Sequence, residues 1–356
     1  MSQSSVYHDF LKTINYEKPE RVPVNVWNTR CNLVRVPGAK NLLDYYQNVD
    51  IKLKSQLFPL EYFDDCLILP GVWPDYGVVL EASAFGSPIR WDDNNPPHAM
   101  NCMSNINDFK KKKSIDPHQD GLMPAALKEY AYMLKNLDKK YVKRLEYLDG
   151  CALVTGPLEV AAATLGHSNF YVAFYEQPDL VEKYLEFITE GLICYLKELE
   201  KIAGELKLVS MIEHCPGQIT PAQFEQFALP YISRIYQEFP RAISLYHNED
   251  SVNHILSGIP KLGAKIWHFG DADLDQVKRV IGDKITLMGN IHPIEVLLKG
   301  TPEDVEKASI NCISKLAHDG GFILCSGGGL APGTTLENVS AMVKTARAGK
   351  ISEIEV

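Results

Sequence analysis

Three side chains of metal-ligand type follow three different apolar segments of the sequence: Glu213, His247 and Cys325. Carboxylate, imidazole and thiolate groups all bind zinc, and three protein ligands leave a fourth position open for a substrate. We therefore predict a zinc site here, in which His214 or Cys215 can replace Glu213. The alternative is that His247 is a hydrogen-bonded structural histidine and Cys325 a packed thiol, because no tight ligand spacing accompanies them.

Other polar and aromatic side chains lie close to the ends of apolar segments. The predicted catalytic residues are His247, His268 and His214, because a histidine can act as a metal ligand or as a general acid. The predicted substrate-binding residues are Trp73, Asp75, Tyr76, Asn28, Arg30 and Asn290. Trp73 and Tyr76 could stack on a flat ligand. The alternatives are an ordered surface loop around Trp73 and a solvated side chain for Arg30.

Apolar runs of strand length alternate with helical patterns along the chain. The runs cover residues 22–27, 66–70, 152–155, 208–212, 243–246, 265–269, 285–288 and 322–324. Eight strand–helix units predict an α/β protein, a (β/α)8 TIM barrel with an N-terminal extension and long βα loops. A barrel gathers its chemistry at the C-terminal strand ends, where the residues above fall. A doubly wound sheet is the alternative, although no GxGxxG motif follows the first strand.

A glycine loop (residues 327–329) follows the last predicted strand. Glycine allows a backbone to approach a ligand closely or to adopt positive φ. Thr334 or Thr335 then caps a helix whose apolar positions include Val339 and Met342. The sequence therefore places a strand, a glycine loop and a helix in direct succession.

Composition excludes several classes of protein. The chain has 356 residues, and we predict a single barrel domain over residues 1–356. A formal charge of −9, from 36 basic and 45 acidic residues, argues against a nucleic-acid or membrane surface. The N-terminus does not resemble a signal peptide, and no apolar run has the roughly 20 residues of a membrane span. Eight scattered cysteines without a CxxC pair indicate reduced thiols in a cytoplasmic protein.

Four segments of the chain together resemble the uroporphyrinogen decarboxylase superfamily. They are Gly156-Pro157 with its following helix, Ile-Thr-Pro-Ala-Gln-Phe at 219–224, Met-Gly-Asn-Ile-His-Pro at 288–293, and Gly-Gly-Leu-Ala-Pro-Gly-Thr-Thr at 328–335. The resemblance covers roughly residues 22–349. It implies a (β/α)8 barrel whose site lies at the C-terminal mouth.

The superfamily contains two chemistries, and the residues distinguish them. True uroporphyrinogen decarboxylases share an arginine-rich segment, Met-Arg-Gln-Ala-Gly-Arg, that holds the substrate's carboxylates. Here that segment is Trp-Asn-Thr-Arg-Cys-Asn-Leu-Val-Arg at 27–35, which keeps Arg30 and Arg35 but not the motif. His292 stands in place of the aspartate of the family's Gly-Asn-Leu-Asp-Pro element. The resemblance therefore favours the other branch, the corrinoid-linked methyltransferases.

Thiol-methylating members of that branch bind zinc through a His-x-Cys pair and a cysteine in the glycine loop. The aligned positions here are Leu245, His247 and Gly328, so one ligand type remains. A harder ligand set suits a Lewis acid that polarises oxygen. The resemblance thus implies a methyltransferase that uses zinc and moves a methyl group between a small methyl donor, expected to be an aryl methyl ether, and the cobalamin of a corrinoid carrier protein. The alternatives are a uroporphyrinogen decarboxylase, a methylcobalamin:thiol methyltransferase and a catalytically silent ligand-binding barrel.

Overall fold

Six parallel strands in sequential order form the centre of the structure. The computed structural model describes residues 5–27, 38–63, 65–318 and 320–348, so Asn28, Arg30 and Arg35 lie outside the described residues. The strands are β1 (Ile89–Arg90), β2 (His98–Ala99), β3 (Cys151–Thr155), β4 (Leu208–Ile212), β5 (Ile243–Asn248), β6 (Ile266–Phe269), β7 (Thr286–Ile291) and β8 (Phe322–Ser326). β1 and β2 form a separate antiparallel pair, and β3 to β8 form the parallel sheet.

The two predicted N-terminal strands complete the barrel between β8 and β3. Val24 forms a parallel bridge to Leu324 of β8, and Asn25 forms one to Leu67. Just beyond Leu67, a Cβ atom on Gly71 would overlap the Sγ atom of Cys151, so this segment lies directly against β3. Eight extended segments therefore follow one another around the barrel. The predicted (β/α)8 fold is confirmed, because the strand order has none of the reversals of a doubly wound sheet.

Helices follow the strands and cover the outside of the barrel. The α-helices are α1 (Val6–Ile14), α2 (Leu42–Gln47), α3 (Val49–Tyr62), α4 (Leu80–Ala84), α5 (Met123–Asn136), α6 (Lys139–Arg144), α7 (Pro157–Leu165), α8 (His167–Glu176), α9 (Pro178–Ala203), α10 (Pro221–Gln223), α11 (Leu229–Glu238), α12 (Leu274–Ile281), α13 (Pro302–Leu316) and α14 (Leu336–Ala348). Within the described ranges, no helix is both long enough and apolar enough to cross a membrane.

Residues 221–238 are predicted as one helix but form three consecutive pieces. Between α10 and α11, residues Phe224–Ala228 adopt a π-helical turn. Pro230 lies inside the predicted helix and has no N–H to donate to the carbonyl four residues earlier, so the regular hydrogen-bond ladder is interrupted there. The predicted start is correct, since Thr220 and Gln223 form a capping box before Pro221.

One buried arginine joins the two ends of the described chain. The guanidinium of Arg347 in α14 donates to the carboxylates of Asp9 and Asp65, each at 2.7 Å. Asp65 also accepts from the backbone N–H of Val6 at 2.9 Å. The N–H of Gly321, just before β8, donates to the Thr13 carbonyl. Helix α1 therefore lies at the N-terminal ends of the strands, opposite to the predicted site.

A buried carboxyl group on α4 gives a pH-dependent prediction. Glu81 Oε1 accepts from the Thr155 N–H at 3.1 Å, and Oε2 has no partner among the described residues. Burial raises the pKa of Glu81 from 4.5 to about 7. Because the folded state favours the protonated form, the stability that this group contributes is fully present below pH 4.5 and is lost as the pH rises through about 7.

We therefore expect Glu81→Gln to stabilise the protein at pH 8 by about 3 kcal/mol and to have little effect at pH 4.5. Urea unfolding of both proteins at several pH values measures the difference. A gain that is the same at every pH would show instead that Glu81 is ionised in the folded state.

Candidate functional site

A cavity of about 1220 Å³ opens at the C-terminal ends of the barrel strands. Its wall includes Trp27, His214, His247 and Glu249, and the glycine loop closes one side. Trp27 stacks on the ring of His247 at a centroid distance of 5.0 Å. This is the edge at which a (β/α)8 barrel positions its reacting groups.

A hydrogen-bonded pair of histidines fixes the orientation of His247. His268 Nε2 lies 2.8 Å from the backbone carbonyl of Ser326, and because a carbonyl only accepts, Nε2 carries the proton. Burial lowers the pKa of His268 to about 4, so the ring is neutral and its Nδ1 is an acceptor. The Nδ1–H of His247 donates to that atom at 2.8 Å. The Nε2 of His247 is therefore left with a free lone pair beside the cavity.

His214 offers a second nitrogen to the same place. Its Nδ1 lies 3.8 Å from Glu159 Oε1, and its ring meets that of His247 edge-on at 5.3 Å. Its Nε2 is buried and has no hydrogen-bond partner among the described residues. Burial opposes protonation, but the Glu159 carboxylate outweighs it and raises the pKa of His214. An orphaned buried nitrogen in a polar site is what a missing ligand would satisfy.

The carboxylate of Glu249 completes a set of three. Glu249 Oε2 lies 4.0 Å from His247 Nε2. One ligand atom from each of His214, His247 and Glu249 lies within 4.8 Å of the other two. Two histidines and a carboxylate form a common zinc site with one open coordination position, and donors about 2 Å from zinc lie roughly 3.4 Å apart, so small side-chain movements suffice. The residues therefore fit the zinc that the sequence predicts.

The carboxylate of Glu213 binds the start of α7 and does not line the cavity. It is fully buried and accepts from the N–H groups of Leu158 and Glu159 at 2.9 and 3.0 Å, which are the first free donors of α7. A Cβ atom on Gly156 would overlap Glu213 Oε2, so this contact explains the glycine of the Gly156-Pro157 motif. Glu213, Glu159 and Cys215 form a second group of ligand-type atoms within 4.8 Å of one another. Because both oxygens of Glu213 already bind backbone, we assign this group to anchoring α7.

Cys325 is packed inside the barrel. Its Sγ accepts from Asn25 Nδ2 at 3.4 Å, and burial raises its pKa to about 11, which disfavours the thiolate that binds metals. It belongs to neither group of ligand-type atoms in the described part of the chain. Of the predicted set Glu213, His247 and Cys325, the structure therefore brings only His247 to the cavity. His214, the predicted replacement, lies beside it.

Of the predicted substrate-binding residues that the structure describes, one lines the cavity and three do not. Asn290 lines the cavity, and its amide donates to the carbonyl of Gly270 at 3.0 Å. Trp73, Asp75 and Tyr76 are buried and do not line it. The Asp75 carboxylate accepts from the hydroxyl of Tyr45, and the hydroxyl of Tyr76 donates to Glu129. The helices α2, α3 and α5 cover this loop, which sequence patterns do not reveal.

Glu249 and Trp27 have site positions that the sequence prediction did not assign. Glu249 lies two residues after His247, and side chains at positions i and i+2 of an extended segment face the same side. That spacing is a signal from which the pair could have been found. Trp27 ends the first extended segment, where barrel residues reach the mouth.

The whole barrel matches one family of proteins. Residues 7–349 match the family model described as uroporphyrinogen decarboxylase (URO-D). The chain belongs to the uroporphyrinogen decarboxylase family. A solved structure, a methyltransferase from Methanosarcina mazei, superposes with a TM-score of 0.78 over 97% of this chain and 99% of that one, at 21% identity. This likeness supports the barrel fold.

Relatives with both chemistries match the sequence. The uroporphyrinogen decarboxylase of Coxiella burnetii is 28% identical over 179 residues, 48% of each chain. The methylated-thiol–coenzyme M methyltransferase of Methanosarcina mazei is 23% identical over 275 residues, 77% of this chain and 71% of the relative. The methylcobamide:CoM methyltransferase MtaA of Methanosarcina barkeri is 29% identical over 191 residues, 53% and 55% of the two chains. The first and third matches span about half of the relatives' length.

Proposed function

We propose that this protein is a methyltransferase that moves a methyl group between a small oxygen-linked methyl donor, of the aryl methyl ether class, and the corrinoid of a separate carrier protein. The observation that carries the proposal is the set His214, His247 and Glu249 at the barrel mouth. The similarity to two corrinoid- or thiol-linked methyltransferases supports the reaction class.

The nature of the three ligands supports an oxygen-linked donor. Two imidazole nitrogens and a carboxylate are harder ligands than thiolates, and harder sites favour oxygen-containing substrates. Zinc bound by His214, His247 and Glu249 would supply a Lewis acid for the departing oxygen. The Nε2 of His247 presents a lone pair, and the Nε2 of His214 has no hydrogen-bond partner in the part of the chain that the structure describes. Trp27 packs against the His247 ring and restricts its rotation. The chain's own part is therefore to orient the donor and hold the site rigid.

The charge of the cavity argues against the alternative of uroporphyrinogen decarboxylation. Among the described residues that line it, the formally charged ones are Lys40, Glu249 and Asp271. One lysine against two carboxylates does not neutralise a substrate that carries several carboxylates. The arginine motif of the decarboxylases is also missing from the sequence at 27–35.

The test combines the purified protein, cob(I)alamin and a methoxylated benzoate under anaerobic conditions. We expect zinc-dependent loss of the methyl ether, with the phenol as product, and no reaction after chelation until zinc is restored. A methyl thioether of similar size is the matched donor, for which we expect at least a tenfold lower rate. Conversion of uroporphyrinogen to coproporphyrinogen, or a preference for the thioether, would contradict the proposal.

A further inference from the structure

The glycine loop lies directly against the carboxylate of Glu249. Gly328 has a φ of +145°, and a Cβ atom built on it would overlap Glu249 Oε2 and lie 2.9 Å from Cδ. The space in front of Gly328 therefore holds the carboxylate, which a side chain at position 328 would exclude.

The loop cannot withdraw from this contact without losing other bonds. The Ser326 hydroxyl donates to the carbonyl of Gly328 at 2.6 Å, and the N–H of Gly327 donates to the Ile291 carbonyl at 2.7 Å. Glu249 is the adaptable partner, because its side chain is 42% exposed and ends in a carboxylate that can rotate into solvent. A side chain at 328 would therefore displace the carboxylate rather than the loop.

We propose that Gly328 is a specificity-determining residue: its bare Cα admits the Glu249 carboxylate as the third ligand and so makes the site nitrogen- and oxygen-based. The identity of residue 328 and the position of Glu249 are mutually dependent. A methyl group at 328 would displace the carboxylate and has no ligand atom to replace it. A thiol at 328 can itself take the vacated position, which would make the site softer. The ligand role rests on the proposed function, whereas the steric dependence does not.

A double-mutant cycle tests this dependence. We expect Gly328→Ala and Glu249→Ala each to lower zinc or cobalt(II) affinity at least about tenfold. In the Glu249→Ala background, Gly328→Ala should change the affinity less than about twofold, because the carboxylate is already gone. Gly328→Cys combined with Glu249→Ala should regain affinity and give a thiolate-to-cobalt(II) charge-transfer band. Calorimetric titration and visible absorption measure these outcomes.

Gly333→Ala is the matched control, since Gly333 is a nearby glycine with a φ of +92°. Among the described residues, a Cβ atom there would meet only Leu298 within 4 Å, at 3.4 Å. Gly333→Ala also places an alanine at positive φ, so it has a similar backbone strain, but it should keep the metal affinity of the wild type. Losses that add in the double variant, or a crystal structure of metal-free Gly328→Ala with Glu249 unmoved, would overturn the proposal. Wild-type protein without affinity for either metal would overturn the proposed function instead, and that crystal structure would still decide where Glu249 lies.

Discussion

His247→Ala is expected to abolish methyl transfer and to remove most of the bound zinc while leaving the barrel folded. The lone pair of the imidazole Nε2 is fixed in direction by a chain of hydrogen bonds, from the Ser326 carbonyl through His268. Loss of an outer partner of a ligand typically costs about 10–100-fold in metal affinity, so loss of the ligand itself should cost more. Metal content, zinc titration and the demethylation assay measure the effect.

Two variants at the neighbouring histidine form a graded comparison. His268→Leu removes the acceptor for the His247 Nδ1–H and should lower zinc affinity about 10–100-fold. In His268→Asn the side-chain oxygen can accept the same hydrogen bond, so this variant should keep most of the wild-type zinc affinity. Full zinc occupancy and full rate in His247→Ala would exclude His247 as a ligand, and the site would have to be assigned to other residues.

Arg347→Met is expected to destabilise the protein by about 3–5 kcal/mol, because it leaves two carboxylates without their buried partner. Asp9 is fully buried and Arg347 is 8% exposed, so water cannot replace the missing guanidinium at Asp9. The Asp65 side chain is 33% exposed and can be partly hydrated, so most of the loss comes from Asp9. Methionine keeps much of the apolar length of the side chain, so the loss reports mainly on the charge and its hydrogen bonds. Urea unfolding followed by circular dichroism measures the change.

Arg234→Met is the matched control. Arg234 on α11 pairs with Glu186 and Glu190, but the guanidinium is 36% exposed and both carboxylates are more so. Exposed pairs of this kind contribute about 0–1 kcal/mol, so this variant should unfold close to the wild type. If both arginine variants lose the same free energy of unfolding, burial of the Arg347 ion pairs does not account for their contribution to stability.

Most of the fold could be predicted from the periodicity of apolar residues in the sequence. Alternating apolar runs and helical patterns predict the barrel because strands buried on both faces need continuous apolar residues. Thr301 with Pro302 and Asp304 predicts the start of α13, and the structure has the capping box there. The π turn before α11 follows from Pro230, which a pattern of apolar positions alone does not register.

The site could be predicted only where local sequence decides the direction of a side chain. His247 follows from its position at the end of β5. Cys325 also ends a strand, but it faces the barrel interior, where Asn25 contacts it. The place of Glu249 depends on Gly328, which is 79 residues away in sequence and adjacent in space. Such a dependence arises from tertiary packing, and a single sequence contains no local signal for it.

The bond between Arg347 and Asp9 joins residues 338 positions apart in the chain. During synthesis Asp9 leaves the ribosome long before its guanidinium partner exists. The carboxylate has to remain hydrated over that period, because burying it unpaired is costly. The buried ion pair that fixes helix α1 can therefore form only after Arg347 has been made. This long-range contact couples the packing of the earliest described helix to that of the latest one, and contacts of such sequence separation form slowly in folding.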